Sequence, residues 1–172
     1  MDETVFSKAS MKSLEWSRRR TNLQVDQEKV FTGYRAVIAA VSEENGVELI
    51  HIQDRAINAF DFGRYLGNLS RANGGRPFAL FMDNLSAHKT NVMKQMYTRL
   101  GITPLYNVPY TPSTNPIEYC FSQVKHHFKS KRLSCLVNDE TFNVTDAIRD
   151  AFDQIQPQQV RNDVRHSFIE LT

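Results

Sequence analysis

Five consecutive apolar residues, Phe78-Ala79-Leu80-Phe81-Met82, introduced by Pro77 and stopped by Asp83, constrain this chain more than any other segment. The run is far too short to span a bilayer. Lacking period-two alternation, it predicts a strand buried on both faces, as in the middle of an α/β layer. Asp83 then stands where a central strand emerges, the usual position of ligand groups in open α/β sheets.

The flanking segments supply the other layers. Thr4 to Phe6 is a short β-prone piece, and Val30 to Val41 is a longer one rich in Val, Ile, Phe and Tyr. Ser42 to Gly46 has hairpin-turn chemistry, and Val47 to Ile52 returns, which predicts a three-strand meander. The period then changes to 3.6. Phe62, Tyr65, Leu66 and Leu69 share a helical face after an Asn58 to Asp61 cap, and Asn73-Gly74-Gly75 ends that helix. A second helix carries Val92, Met96 and Leu100 and closes at Gly101, before a strand over Thr103 to Val108. Pro109, Pro112 and Pro116 force an extended path. With Asn115 as cap and Pro116 in the first turn, a third helix buries Phe121, Val124 and Phe128. Two more follow, one on Val144, Ala147, Ile148, Ala151, Phe152 and Ile155, the other from Pro157 through Val160, Val164 and Phe168. No repeat or linker interrupts the order β-β-β-α-β-α-β-α-α-α, so residues 1–172 read as one domain.

At 172 residues the chain buries a full core without staples. Cys120 and Cys135, without CxxC partners, point to a reducing compartment rather than a zinc ribbon or disulfide framework. The start MDETVFSKAS lacks a basic n-region and an apolar h-region, so the expectation is a protein neither secreted nor membrane-bound. The balance of +2 says little about partners, but the charges are clustered. Arg18, Arg19 and Arg20 form one basic group; Lys125, His126, His127, Lys129, Lys131 and Arg132 form an acid-free second.

Three carboxylates occupy positions that core packing does not require: Asp2 before the first strand, Asp83, and Glu118 in the first turn of the third helix. Each has an ordinary reading: Asp2 as a solvated terminus, Asp83 as a strand-end cap, Glu118 as an acid favoured by the helix dipole. Brought together they repel unless cations intervene. Oxygen-only ligands suit Mg²⁺ or Mn²⁺, and two such ions serve phosphoryl transfer.

MDETVF, FALFMDNLSAH and PYTPSTNPIEYCFSQVK, with 34 residues between Asp83 and Glu118, resemble nearly the whole catalytic domain of mariner-type transposases of the DDE superfamily. The resemblance implies an RNase H-like mixed sheet with additional C-terminal helices. It assigns Asp2, Asp83 and Glu118 as the metal-binding catalytic triad, holding two Mg²⁺ or Mn²⁺ ions for DNA cleavage and strand transfer at transposon ends. The partners implied are transposon-end and target DNA, with a homodimer in the DNA complex. The compartment implied is the nucleus in a eukaryote, or the cytoplasm and nucleoid in a bacterium. The family's N-terminal helix-turn-helix modules are not recognisable here. The expectation is therefore an isolated catalytic domain, a truncated reading frame, or a subunit whose DNA reading lies elsewhere. The alternative is a domesticated, non-catalytic DNA-binding relic; NPIE speaks against a ribonuclease H.

His88, matching the His of DNxxxH, is expected to orient a ligand or contact a DNA phosphate, against an ordinary surface histidine. Lys125, seven residues past Glu118, lies on the same helical face and can approach a phosphate; the other reading is a solvated lysine. Lys129 and its basic neighbours extend that surface, and Arg18, Arg19 and Arg20 are candidates for a DNA-contacting loop.

Overall fold

The computed structural model describes residues 1–7, 33–109, 111 and 114–169, with only the backbone at 168 and 169. Its strands are β1 (Asp2–Ser7), β2 (Tyr34–Ser42), β3 (Gly46–Gln53), β4 (Phe78–Met82) and β5 (Ile102–Tyr106). Its helices are α1 (Ala59–Ala72), α2 (Asn91–Leu100), α3 (Ile117–Val137), α4 (Val144–Asp153) and α5 (Pro157–Ile169), with a 3₁₀ turn at Ser86–Lys89. The meander is as expected: β1, β2 and β3 pair antiparallel, Asp2 opposite Ala39 and Val37 opposite Ile52. Of the expected Val30–Val41 strand, β2 begins at Tyr34, with Gly33 outside it, and residues 30–32 lie outside the described residues. Gly46 closes the hairpin at φ +76°, a conformation glycine adopts without steric cost. β4 and β5 form a parallel pair. The Met1 amine, donating to Phe81 O at 2.7 Å, ties the start of β1 to β4.

The pleat of β2 divides the core. Val37 and Ala39 face a cluster containing Phe121, Val124, Phe128, Ile148 and Phe152, while Ile38 and Ala40 face one containing Phe62, Tyr65, Leu66, Met82, Met93 and Tyr97. Helices α3 to α5 thus cover one face and α1 and α2 the other. Phe128 packs edge-on against Phe6 and Phe142 at 4.9 and 5.5 Å, and burying such a ring contributes about 1.5–3 kcal/mol.

α1 begins with the predicted cap. Asn58 Oδ1 accepts from the Phe60 and Asp61 amides, and Asp61 returns a carboxylate oxygen to the Asn58 amide. The buried face of α2 is not the predicted one: Val92 is 65% exposed, while Met93 is 3% exposed and Tyr97 is buried beside it. Both stripes fit a 3.6 period. Tyr97 wins because its ring fills the core while its hydroxyl finds partners in His88 O and Met82 Sδ. Of the predicted stripe only Val92 is exposed; Met96 and Leu100 are partly buried against the same cluster, and all three line a groove with Phe60 and Gly63. β4 buries Leu80 and Met82 but leaves Ala79 exposed, so burial on both faces is only partial. α3 buries Phe121, Val124 and Phe128 as predicted, together with Ile117, and Cys120 and Cys135 are free and buried. Among the described residues no helix is long and apolar enough to cross a membrane.

Candidate active site

Asp2, the first residue of β1, Asp83, immediately after β4, and Glu118, in the first turn of α3, line one cleft of about 560 Å³. Three local devices assemble it. The Met1–Phe81 bond sets residue 2 beside the end of β4. Asn107, just past β5, donates its backbone N–H to Met82 O at 2.8 Å, which aligns the ends of the parallel strands. Its side chain then gathers the proline-rich turn: Nδ2 donates to Thr111 O at 2.9 Å, and Oδ1 accepts from Val108 N at 2.8 Å and Thr114 Oγ1 at 2.6 Å. The start of α3 is thereby held over the carboxyl ends of β4 and β5.

Asn115 does not cap α3, which has no side-chain cap. Its Nδ2 donates instead to Asp2 Oδ2 at 2.9 Å, while Asp2 Oδ1 accepts from the Glu3 amide at 2.7 Å. Burial raises the Asp2 pKa, and neighbouring Asp83 adds to the rise against those two hydrogen bonds. Glu118 remains exposed, yet partial desolvation by the cleft wall raises its pKa, with Asp2 and Asp83 contributing and Lys125 opposing. Glu3, though exposed, is pushed up to about 7 by desolvation from its surroundings, then by Asp2 and Asp83.

Asp61 shows the contrast. It is 1% exposed, yet it accepts two bonds from Arg55 at 2.6 and 2.8 Å and others from Gln53 and the Asn58 amide, which hold its carboxyl well below the usual range. Among the described residues the cleft carboxylates have no comparable guanidinium partner. Among the described residues, the buried Oδ1 atoms of Asp83, Asn84 and Asn115, all in the cleft lining, make no hydrogen bond.

His88 is 4% exposed, so it offers no surface to a DNA phosphate; that part of the expectation is corrected. Its ring stacks on Phe62 at 4.3 Å, and Nδ1 lies 2.9 Å from Asp83 Oδ1, within ion-pair range of a protonated ring but not aligned as a hydrogen bond. Lys125 sits on α3 near enough to lower the Glu118 pKa. Lys129, partly exposed, is one turn farther along, with exposed His126 and Lys131 and half-buried His127 and Arg132. Arg18, Arg19 and Arg20 lie outside the described residues. Asn84, Asn107, Thr114 and Asn115 escaped sequence reading as site residues. The dense polar spacing around the prolines was the available signal, and it reads equally as turn chemistry.

Among the described residues no three His, Cys, Asp or Glu side chains form a cluster that holds a metal as they stand. The donor chemistry nevertheless fits hard cations: the cleft presents carboxylate and amide oxygens, three of them buried without a donor.

Residues 1–138 match the sequence profile of a family described as DDE superfamily endonuclease. No curated protein matches the chain. Among solved structures, the Mos1 strand transfer complex aligns at 15% identity and TM-score 0.64, over 95% of this chain and 49% of that one. The Mos1 transposase paired-end complex with left transposon end aligns at 15% and 0.67, over 95% and 50%. The catalytic domain of Mos1 mariner transposase aligns at 14% and 0.57, over 77% and 68%. The chain spans about half the length of the Mos1 chains in those complexes. These likenesses concern the fold, an RNase H-like mixed α/β architecture.

Proposed function

The chain belongs to the DDE superfamily of endonucleases, and from that premise we propose that it is a transposase catalytic domain that cuts and joins DNA at transposon ends. Asp2, Asp83 and Glu118 would hold two Mg²⁺ or Mn²⁺ ions. When bound, these supply activation of the attacking oxygen and stabilisation of the leaving oxygen in an in-line displacement. The observation that carries the reading is the meeting of three carboxylates, from β1, the end of β4 and α3, in one cleft where buried Oδ1 atoms of Asp83, Asn84 and Asn115 have no aligned donor among the described residues.

The chain's own residues do the positioning. Asn115 and the Glu3 amide hold Asp2, and His88, wedged between Phe62 and Asp83, limits the rotation of the second carboxylate. Lys125 and Lys129 project from α3 at successive turns, roughly 10 and 16 Å along the axis from Glu118, spacings suited to consecutive DNA phosphates. His126, Lys131 and, by the sequence reading, Arg18, Arg19 and Arg20 add backbone contacts. DNA is the partner, and a homodimer is the form proposed for the DNA complex. Contacts of this kind read charge rather than sequence, so affinity falls steeply with salt.

A supercoiled-plasmid nicking assay tests the reading. Mn²⁺-dependent, sequence-indifferent nicking is expected from the chain and none from Asp83→Ala or Glu118→Ala. Nicking that survives both substitutions refutes the site. A chain that neither nicks nor binds Mn²⁺ refutes the activity and favours a non-catalytic relic.

A further inference from the structure

Asn115 abandons the cap position its sequence context suits and spends its side chain on a residue 113 positions away. Asn is among the best N-cap residues, so a first turn left uncapped while Asn115 turns aside is a local loss that something else must outweigh. The amide is 2% exposed, and its Nδ2 bond to Asp2 Oδ2 links the start of α3 to the start of β1. Asp2 Oδ1 is held by the adjacent backbone, so Asn115 supplies the second constraint that stops the carboxylate rotating about χ1 and χ2. The opposite atom, Asn115 Oδ1, is buried without a donor, and Asn115 lines the cleft. Behind it, Thr114 and Asn107 lock the loop, so the amide approaches Asp2 from a fixed frame.

We propose that Asn115 is a positioning residue for Asp2: it orients that carboxylate toward the divalent ions through Nδ2 and sets the distance between the β1 and α3 portions of the site. The assignment rests on the two-ion reading of the cleft. Partners that orient metal ligands typically change metal affinity 10–100-fold when removed.

Mn²⁺ affinity, measured by electron paramagnetic resonance on the whole chain, provides the test. Asn115→Ala binds Mn²⁺ roughly 10–100-fold more weakly than the unmodified chain. Thr114→Val, which loosens the same loop without touching Asp2, lowers the melting temperature but changes affinity less than about threefold. An unchanged affinity in Asn115→Ala overturns the proposal, as does an equal loss in Thr114→Val, which would assign the effect to the loop at large. If the unmodified chain binds no Mn²⁺, or Glu118→Gln binds it as well as the unmodified chain, the two-ion reading falls and the assignment with it. If Glu118→Gln loses the ion while Asn115→Ala keeps it, the assignment alone falls. Should Asn115→Ala fail to fold, NMR of the side-chain amides decides. The Asn115 NH₂ protons exchange slowly in the unmodified chain and lose that protection in Asp2→Ala; fast exchange in both, or protection unchanged in Asp2→Ala, overturns the proposal.

Discussion

The carbonyl of His88 receives two phenol hydroxyls, Tyr97 Oη at 3.1 Å and Tyr106 Oη at 3.2 Å, and this redundancy makes a non-additive prediction. Tyr97→Phe removes one donor and leaves the carbonyl satisfied by the other, so the cost is that of one net hydrogen bond, about 1 kcal/mol. Tyr106→Phe costs about the same. The Lys89 ammonium, 4.8 Å from the Tyr106 ring centroid, keeps an aromatic face in the variant, so little of that contact is lost. Removing both hydroxyls strands a carbonyl beside a residue that is almost wholly buried, which adds about 1–3 kcal/mol. With a urea slope of about 2 kcal/mol/M, each single variant shifts the midpoint by about 0.5 M, and the double variant by about 1.5 M or more instead of about 1 M. Urea unfolding of the four proteins followed by circular dichroism reads this directly. A double-variant cost equal to the sum of the singles within about 0.3 kcal/mol refutes the shared-acceptor reasoning. The same double variant frees the His88 backbone beneath Asp83, so it also weakens Mn²⁺ binding.

The other predictions concern charge, thiols and the α2 face. Asp2, Glu3 and Glu118 are raised in the folded chain, so that state binds more protons than the unfolded one above about pH 4. Without metal, stability therefore falls from about pH 4 to 6, and millimolar Mn²⁺ flattens the slope, as melting temperatures in EDTA and in Mn²⁺ will show. Above about pH 6 the Met1 amine, lowered to about 6 by burial, works in the opposite direction. Cys120, its thiol pushed up to about 12 by burial and then by Asp163, stays unreactive toward a thiol reagent at pH 8 until urea exposes it; rapid labelling of the native chain at Cys120, read by peptide mapping, refutes its placement. Val92→Ser changes stability by less than about 0.5 kcal/mol, whereas Met93→Ala costs about 2–4 kcal/mol, and chemical denaturation separates the two faces of α2.

Local chemistry was readable before the structure. The Asn58–Asp61 cap, the Ser42–Gly46 turn and the stripe of α3 each rest on neighbours within a few positions, so composition and period identify them. α2 shows where period fails: in ten residues Val92, Met96 and Leu100 compete with Met93 and Tyr97 on equal terms, and the buried hydroxyl acceptor that decides between them comes from the Ser86–Lys89 turn. Asn115 was legible as a cap because its sequence neighbours favour one; its partner Asp2 lies at the far end of the chain, beyond any local pattern. Glu3 could not be singled out either, since its raised pKa comes from desolvation and, beyond adjacent Asp2, from Asp83, which only folding brings near it.

The two-sided core gives the cleft no layer of its own. Met82, preceding Asp83, belongs to the cluster under α1 and α2, while Ile117, preceding Glu118, belongs to the cluster under α3 to α5. Met1, just before β1, belongs to one and Phe6 of β1 to the other, with Asp2 between them. The carboxylates are therefore the jaws of a caliper whose opening is the spacing between two separately packed halves. A methylene deleted at Ile148 or Leu66, each fully buried in one of the two clusters, changes that opening. Because misplacement by about 1 Å can cost on the order of a hundredfold in rate, such distant repacking acts as a fine adjustment of chemistry and not only of stability.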